Sequence, residues 1–133
     1  MGTLTQKTNW DELGTQLRRL GEQAHALSEA KGFWQASADP TRKITEADVA
    51  DVATKISLLA GEAIELLEAW RLPNPFDHCG KQGCRLNGLE EEMSDVFIRL
   101  CDLAAFFGID LADVAKQKMS YNATRIPMHG KRF

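Results

Sequence analysis

The sequence has little of what secreted or membrane-embedded proteins need. Its 133 residues include only three cysteines, an odd number that is too small for a secreted disulfide framework. No apolar run approaches the roughly 18 residues of a membrane-spanning helix. The polar segment 1–7 lacks the apolar region of a signal peptide. We therefore expect a cytoplasmic protein that does not bind membranes.

The sequence also lacks an excess of positive charge. Sixteen Lys and Arg residues stand against 19 Asp and Glu residues, which gives a formal net charge of −3. Proteins that bind nucleic-acid polymers or anionic lipid surfaces need a basic surface, so we expect neither as a partner. With 44% apolar residues, the chain is predicted to form one domain, 1–133, with a core of its own.

No segment shows the apolar–polar alternation of a β-strand, whereas apolar residues recur at helical spacing along most of the chain. We therefore predict an all-α helical bundle of two long central helices and two or more shorter ones. Phe97, Phe106 and Phe107 extend beyond one stripe of the third helix, so the bundle is expected to be completed by self-association. Thr8 or Asn9, Thr45, Asn87 and Asp110 are the predicted N-caps. The predicted ends are Gly32, about Arg71, Gly108 and about Arg125. Segments 33–44, 72–86 and 126–133 are predicted to be irregular.

Two acidic pairs with a spacing of three residues lie on the two central helices. They are Glu62 with Glu65 on the second helix, and Glu92 with Asp95 on the third. At about 100° per residue, both pairs fall on the same shoulder of the apolar stripe of their helix. A single pair of this kind is usually a solvated face. If the two helices pack together, however, the four carboxylates converge.

Four converging carboxylates repel one another and need cations. Oxygen-only ligands suit Mg²⁺, with Mn²⁺ as the alternative metal, and carboxylate-held Mg²⁺ characteristically binds substrate phosphates. A di-iron bundle would need Glu-x-x-His on two helices. Only Glu22 and His25 have that spacing, which we interpret as a surface coincidence.

The C-terminal segment is basic, because no acidic residue follows Asp113. Lys118, Asn122 and Arg125 share a predicted helix face, and Tyr121 lies close to them. These residues either complement the C-terminus of a helix or bind a phosphorylated ligand, in which Lys and Arg would contact phosphate oxygens and Asn a base or sugar.

On these residues the chain resembles the all-α nucleoside triphosphate pyrophosphohydrolases of the MazG-like type, which are related to dimeric dUTPases and dCTP pyrophosphatases. The resemblance rests on GEAIELLEAWR (61–71), LEEEMSDVFIRL (89–100) and KMSYNATRIPMHGKRF (118–133), and it covers about residues 49–133. One departure is Gly61, which stands where many members carry the first of two adjacent glutamates.

The resemblance implies an enzyme that hydrolyses a nucleoside or deoxynucleoside triphosphate to the monophosphate and pyrophosphate. Glu62, Glu65, Glu92 and Asp95 would hold Mg²⁺, which would activate the attacking water. Glu65 or Glu62 is the candidate acceptor of the water's proton. The candidates for substrate binding are Lys118, Tyr121, Asn122, Arg125 and Lys131. The resemblance also implies a homodimer or homotetramer, to which the neighbour's C-terminal segment would contribute.

Several residues leave alternatives open. Phe33 and Trp34 either stack on a base or cover the end of the bundle. Trp70 is predicted to lie in the core. His78, Cys79 and Cys84 give only a weak zinc pattern, and free thiols are the expected state. Arg99 could pair with Asp95, and either Arg99 or Asp102 could support the site. Because of Gly61, a non-catalytic nucleotide-binding or protein-interaction module remains the alternative to an enzyme.

Overall fold

The computed structural model describes residues 8–34 and 46–127, which form four α-helices. They are α1 (Trp10–Ala30), α2 (Glu46–Trp70), α3 (Gly88–Phe107) and α4 (Leu111–Ala123). Within these ranges the only β-type pairing is an isolated antiparallel bridge between His78 and Asn87. The prediction of an all-α fold is confirmed. None of the described helices is long and apolar enough to cross a membrane.

Three helices begin at side-chain caps that the sequence predicted. Asn9, Asn87 and Asp110 each accept a hydrogen bond from the backbone N–H three residues further on, at 2.9–3.1 Å. These bonds satisfy one of the backbone donors that the first turn of a helix leaves without an intrahelical partner. Thr45, the predicted cap of α2, lies outside the described residues.

Helix ends also follow the sequence closely. α3 ends at Gly108, whose φ of +65° is the left-handed conformation that glycine adopts without steric cost. α1 ends one residue before its cap, Lys31, and Gly32 follows with φ +79°. α4 ends at Ala123, two residues short of the expected end at about Arg125. α1, α2 and α3 have 21, 25 and 20 residues, so three of the four helices are long.

Helix α3 packs against both α1 and α2, and α4 packs against α1. The approach of α1 to α3 depends on Gly21, because a Cβ there would lie 3.1 Å from the carbonyl oxygen of Cys101. Cys101 itself is fully buried. Because α3 packs against both α1 and α2, the position of its acidic first half relative to α2 is fixed.

Helix α2 has two apolar faces instead of the one stripe that the spacing suggested. The buried and half-buried face carries Val52, Lys55, Leu59, Glu62, Leu66 and Ala69. An adjacent face is apolar but exposed throughout: Val49, Ala53, Ile56, Ala60, Ala63, Leu67 and Trp70. Trp70 is 60% exposed, so its prediction as a core residue is wrong for this chain. The predicted stripe had averaged the two faces.

Candidate functional site

Three of the four predicted carboxylates meet between α2 and α3. Glu62 and Glu65 of α2 and Glu92 of α3 each offer one carboxylate oxygen, and these three oxygens lie within 4.8 Å of one another. Residues three apart share a helix face. The packing of α2 on α3 brings the acidic pair of α3 toward the acidic pair of α2. We call Glu62, Glu65, Glu92 and Asp95 the acidic cluster.

Asp95, the fourth predicted member, is half-buried one turn along α3 from Glu92 and lies outside the tight group of three. It is nevertheless within electrostatic range of the others. Its charge contributes to the raised pKa of both Glu65 and Glu92, and the charge of Glu62 contributes to its own. The four residues therefore act as one electrostatic unit.

Mutual repulsion and burial raise the pKa of three members of the cluster. A hydrogen bond to the Glu62 carboxylate and the charge of Glu62 raise the pKa of Glu65. Burial comes first for Glu92 and Asp95, followed by the charge of Glu65 and of Glu62, respectively. Each of these carboxylates is harder to ionise than in water because its burial or its acidic neighbours disfavour the charged form.

The acidic cluster fits a hard divalent cation on two counts. The Oε2 atom of Glu92 is buried and has no hydrogen-bond partner within the described residues, which is costly for a carboxylate. In addition, every donor is a carboxylate oxygen, the ligand type that Mg²⁺ and Mn²⁺ prefer. Exposed acidic groups often hold no metal. Burial of Glu62 and the orphaned oxygen of Glu92 distinguish this cluster from an ordinary solvated face.

Glu62 is buried and is not on the shoulder where helical phase placed it. Its Oε1 accepts a hydrogen bond of 2.5 Å from Nε of Arg99, on the neighbouring helix. Arg99 thus forms its ion pair across the helices, and it acts on Asp95 only through its charge, which lowers the pKa of Asp95. Arg99 therefore supplies a compensating positive charge for the buried Glu62 carboxylate.

A cavity of about 200 Å³ adjoins the acidic cluster on the side of α1. Its apolar lining includes Phe33 and Ile98, and its polar lining includes Asp95, Arg99 and Asp102. Because Asp95 and Arg99 belong to both the cavity wall and the cluster region, a ligand in this cavity could reach the carboxylates.

Trp34 lies in the core, in agreement with the alternative that it covers the end of the bundle. It is 7% exposed, stacks on Phe106 at a ring-centroid distance of 4.4 Å, and donates its indole N–H to Asp102 at 2.9 Å. A Trp34 ring held in this way is not free to stack on a base. Phe33, which is 53% exposed and lines the cavity, is the aromatic residue that remains accessible.

His25 is buried, so its interpretation as a surface residue is wrong. Its Nδ1 lies 2.6 Å from Oδ1 of Asp102, and its Nε2 lies 3.4 Å from Glu29 without forming a hydrogen bond. Glu22, by contrast, is exposed. No three-ligand metal group among the described residues includes His25. The di-iron alternative therefore loses its histidine ligand.

Sequence reasoning singled out Asp102 only as a support for the site and missed its burial, although the sequence carries a signal for it. It is an acid within the apolar run LCDLAAFF (100–107), and it is 7% exposed. A buried carboxylate needs hydrogen-bond donors, and His25 and Trp34 supply them. What sequence cannot give is the identity of donors that lie 77 and 68 residues away along the chain.

The basic residues of α4 are not brought to the acidic cluster within this chain. Lys118, Tyr121, Asn122 and Arg125 are all exposed, and α4 packs against α1. The cations of Lys118 and Arg125 lie 4.9 and 5.8 Å from the ring centroid of Tyr121, so the three side chains form a cation–π group. Lys131 lies outside the described residues.

Lys81 is a residue that sequence reasoning missed. It lies on the loop between α2 and α3, and its ammonium group forms an ion pair with Glu91. Glu91 raises the pKa of Lys81, and the charge of Lys81 in turn lowers the pKa of Glu92 and Asp95. Lys81 is therefore a cation beside the acidic cluster, on a segment of which the sequence predicted only that it was irregular.

The weak zinc pattern of the same loop is not supported. His78 uses both ring nitrogens within the loop, because Nδ1 accepts from the N–H of Gly80 and Nε2 lies 2.6 Å from the carbonyl oxygen of Cys84. Cys79 and Cys84 are free and half-buried. In the described part of the chain, these three residues do not form a metal group.

A scan against protein-family models, a search of curated proteins and a search of solved structures each returned no match. We therefore infer the function from the geometry of the site and from the resemblance of its motifs.

Proposed function

We propose that this protein is a Mg²⁺-dependent hydrolase that converts a nucleoside or deoxynucleoside triphosphate into the monophosphate and pyrophosphate. The observation that carries the proposal is the meeting of three carboxylate oxygens within 4.8 Å of one another, from motifs on two helices. One Glu92 oxygen there is buried without a hydrogen-bond partner among the residues that the structure describes. Stability gives no reason to build such a cluster, because apolar residues of similar size would usually serve a fold better.

Glu62, Glu65, Glu92 and Asp95 are the residues that would hold the cation. When bound, Mg²⁺ neutralises phosphate oxygens and lowers the pKa of a coordinated water. Glu62 is positioned by Arg99 and is the least free to move. Glu65 is exposed and can therefore reach a water molecule that attacks the α-phosphorus. We assign Glu65 as the acceptor of the water's proton and Glu62 as its positioned neighbour.

The cavity beside the cluster is the proposed site of the nucleoside. Phe33 offers an exposed ring on which a base can stack, and Asp102 and Ser28 offer hydrogen-bonding groups within the same cavity wall. Trp34 does not stack on the base; its indole N–H instead holds Asp102 in place in the cavity wall. A ligand bound there has its phosphates directed past Asp95 toward the carboxylates.

The triphosphate also needs cations from the protein, and two sources are at hand. Lys81 lies beside Glu92 and Asp95 in the same chain. Lys118, Asn122 and Arg125, with Tyr121, are exposed on α4, away from the cluster of their own chain. We propose that these α4 residues serve the site of a second subunit, together with Lys131. Their positive charge would offset the charge of the leaving pyrophosphate.

Self-association is part of the proposal because α2 exposes a continuous apolar face. The face comprises Val49, Ala53, Ile56, Ala60, Ala63, Leu67 and Trp70, whose spacing alternates between three and four residues. This spacing is that of a helix–helix seam, in which small alanines permit close approach. Such a face is unusual on a monomer. We propose a homodimer, or a homotetramer of paired dimers, in the cytoplasm.

The direct test is pyrophosphate release from a panel of ribo- and deoxynucleoside triphosphates, with and without Mg²⁺. We expect release only with the metal, and a loss of at least about 10²-fold in kcat for Glu65→Gln. Glu22→Gln, an exposed change on α1, is the matched control and should retain wild-type activity. Wild-type rates in Glu65→Gln and Asp95→Asn would contradict the site assignment.

A non-catalytic nucleotide-binding or protein-interaction module is the second candidate, and Gly61 favours it. Gly61 has no side chain with which to supply a further carboxylate, and among the described residues a Cβ there would meet nothing within 4 Å. Tight binding of a triphosphate without any release of pyrophosphate, across the whole panel, would establish this alternative.

A further inference from the structure

The loop between α2 and α3 contains a well-defined hairpin. The N–H of Cys79 donates to the carbonyl oxygen of Leu86 at 3.0 Å, and the N–H of Gly88 donates to that of Asp77 at 3.1 Å. The tip is closed by a hydrogen bond of 3.2 Å from the N–H of Cys84 to the carbonyl oxygen of Lys81. Gly83 is the third residue of that turn, with φ +80°, as a type II turn requires. Residues 77–88 therefore have a fixed pairing register.

The register places the two cysteines of the hairpin next to each other. Cys79 pairs with Leu86, and Cys84 lies two residues from Leu86 toward the tip, so that the two thiols are diagonal neighbours on one face. The neighbouring Cys84 side chain raises the pKa of the Cys79 thiol. The Cys84 sulfur also accepts from the N–H of Leu86 at 3.4 Å. Both thiols are half-buried, whereas Cys101 is fully buried in α3.

We propose that Cys79 and Cys84 form a redox-active dithiol, which closes to a disulfide by exchange with a low-molecular-weight disulfide such as glutathione disulfide. This site goes beyond the proposed hydrolase function and does not depend on it. The hairpin is anchored at its base by the pairing of His78 with Asn87, while Gly80 and Gly83, both at positive φ, allow the tip to adjust. To form the disulfide, the two sulfurs must approach to about 2.05 Å.

The exchange has two balanced steps. The thiolate of one cysteine attacks a sulfur of glutathione disulfide, which forms a mixed disulfide and releases one glutathione thiol. The thiolate of the other cysteine then attacks the protein sulfur of the mixed disulfide and releases the second glutathione thiol. Two protein thiols are oxidised by two electrons, one glutathione disulfide is reduced, and the two thiol protons end on glutathione.

The environment of Cys79 sets the pH dependence of the reaction. The backbone N–H of Lys81 lowers the pKa of Cys79, but the Cys84 side chain, burial and the charge of Glu91 outweigh it, and the pKa is raised above its usual value. Because the thiolate is the nucleophile, the rate of closure should increase with pH across the neutral and mildly alkaline range.

The test uses the full, reduced protein incubated with a series of glutathione redox ratios at pH 8, quenched with acid and alkylated with a maleimide. We expect the wild-type protein to lose two of its three reactive thiols and two hydrogen masses, without gaining glutathione. Trypsin cleaves after Lys81, inside the ring, so the disulfide should link peptide 72–81 to peptide 82–85. Returning the sample to reduced glutathione should restore both thiols.

Variants and competing outcomes decide the proposal. Cys84→Ser should stop at the mixed disulfide of Cys79, and Cys101→Ala should close as the wild type does, with circular dichroism confirming that each variant keeps its helices. Wild-type protein that accumulates glutathione on separate cysteines, forms disulfide-linked dimers or resists oxidation at every ratio would overturn the proposal. So would purified protein that holds stoichiometric Zn²⁺ on both thiols.

Discussion

At the residue scale, the carboxylates of the acidic cluster that would bind a cation lower the stability of the metal-free fold. Glu65, Glu92 and Asp95 each have a raised pKa because burial and like charges disfavour their ionised forms. The spacing of the two pairs predicted which carboxylates would be neighbours. It did not predict the burial of Glu62 or its ion pair with Arg99, because helical phase alone does not reveal which of two apolar faces of α2 meets α3.

The first prediction concerns pH and metal. Carboxylates whose pKa is raised by folding stabilise the fold below their unfolded pKa, and this contribution is lost as the pH rises through the folded pKa. At pH 7.5 without Mg²⁺, Glu92→Gln should therefore raise Tm, by about 2 °C, and the gain should disappear at a pH below 4. Thermal unfolding followed by circular dichroism measures both.

Glu22→Gln, on the exposed face of α1, provides the control and should leave Tm unchanged at both pH values. Addition of Mg²⁺ should raise the Tm of the wild-type protein but not that of Glu92→Gln. A lower Tm for Glu92→Gln at pH 7.5 would mean that the Glu92 carboxylate is satisfied in the metal-free protein.

The second prediction concerns the buried network around Asp102. Trp34→Phe keeps an aromatic ring on Phe106 but removes the indole N–H that Asp102 accepts. Loss of a hydrogen bond to a buried carboxylate should lower the free energy of unfolding by about 1.5–3 kcal/mol. Urea denaturation measures this, with Trp10→Phe, a change in the half-buried first residue of α1, as the control. Equal stability of the two variants would refute a structural role for the bond.

At the scale of single elements, the sequence predicted helix boundaries well because caps are local. Asn9, Asn87 and Asp110 each act within their own first turn, and Gly108 acts within one C-terminal turn. The hairpin at 77–88 was not predicted. Its pairing depends on backbone hydrogen bonds, such as the one between Cys79 and Leu86, and no apolar–polar alternation in the sequence indicates them. Lys81 was missed for the same reason.

The third prediction contrasts two helical glycines. At Gly61 an added Cβ meets nothing within 4 Å, so Gly61→Ala should stabilise the protein by about 0.5–1 kcal/mol through the higher helix propensity of alanine. At Gly21 the same change puts a Cβ 3.1 Å from the backbone of Cys101, and it should destabilise the protein because α1 and α3 must separate. Chemical denaturation of both variants tests this; effects of the same sign would contradict the described helix packing.

At the scale of the whole molecule, one chain leaves too much apolar surface uncovered. The exposed face of α2 runs from Val49 to Trp70, and Phe97 and Phe107 of α3 are also more than 40% exposed. Helical spacing predicted that these apolar residues lie together on helix faces. Spacing alone does not say whether such a face packs against its own chain or against another copy of it. The assignment of Trp70 to the core failed at that point.

The fourth prediction tests this face. Ile56→Glu, or Leu67→Glu, places a charge in the proposed seam and should convert a dimer or tetramer into a smaller species while the helical content is retained, because a buried unpaired charge opposes association. Light scattering coupled to size exclusion measures the mass. Gln16→Glu on exposed α1 is the control. A wild-type protein that is already a stable monomer would remove self-association from the account.

The central claim is that carboxylates from α2 and α3 bind a divalent cation together, and calorimetric titration with Mg²⁺ tests it most directly. We expect saturable binding to the wild-type protein and a loss of Mg²⁺ affinity in Glu92→Gln of more than about tenfold. Removal of a residue that only hydrogen-bonds a metal ligand already costs roughly tenfold. Glu22→Gln should bind as the wild type does. Equal Mg²⁺ affinity in the wild-type protein and Glu92→Gln would contradict the claim.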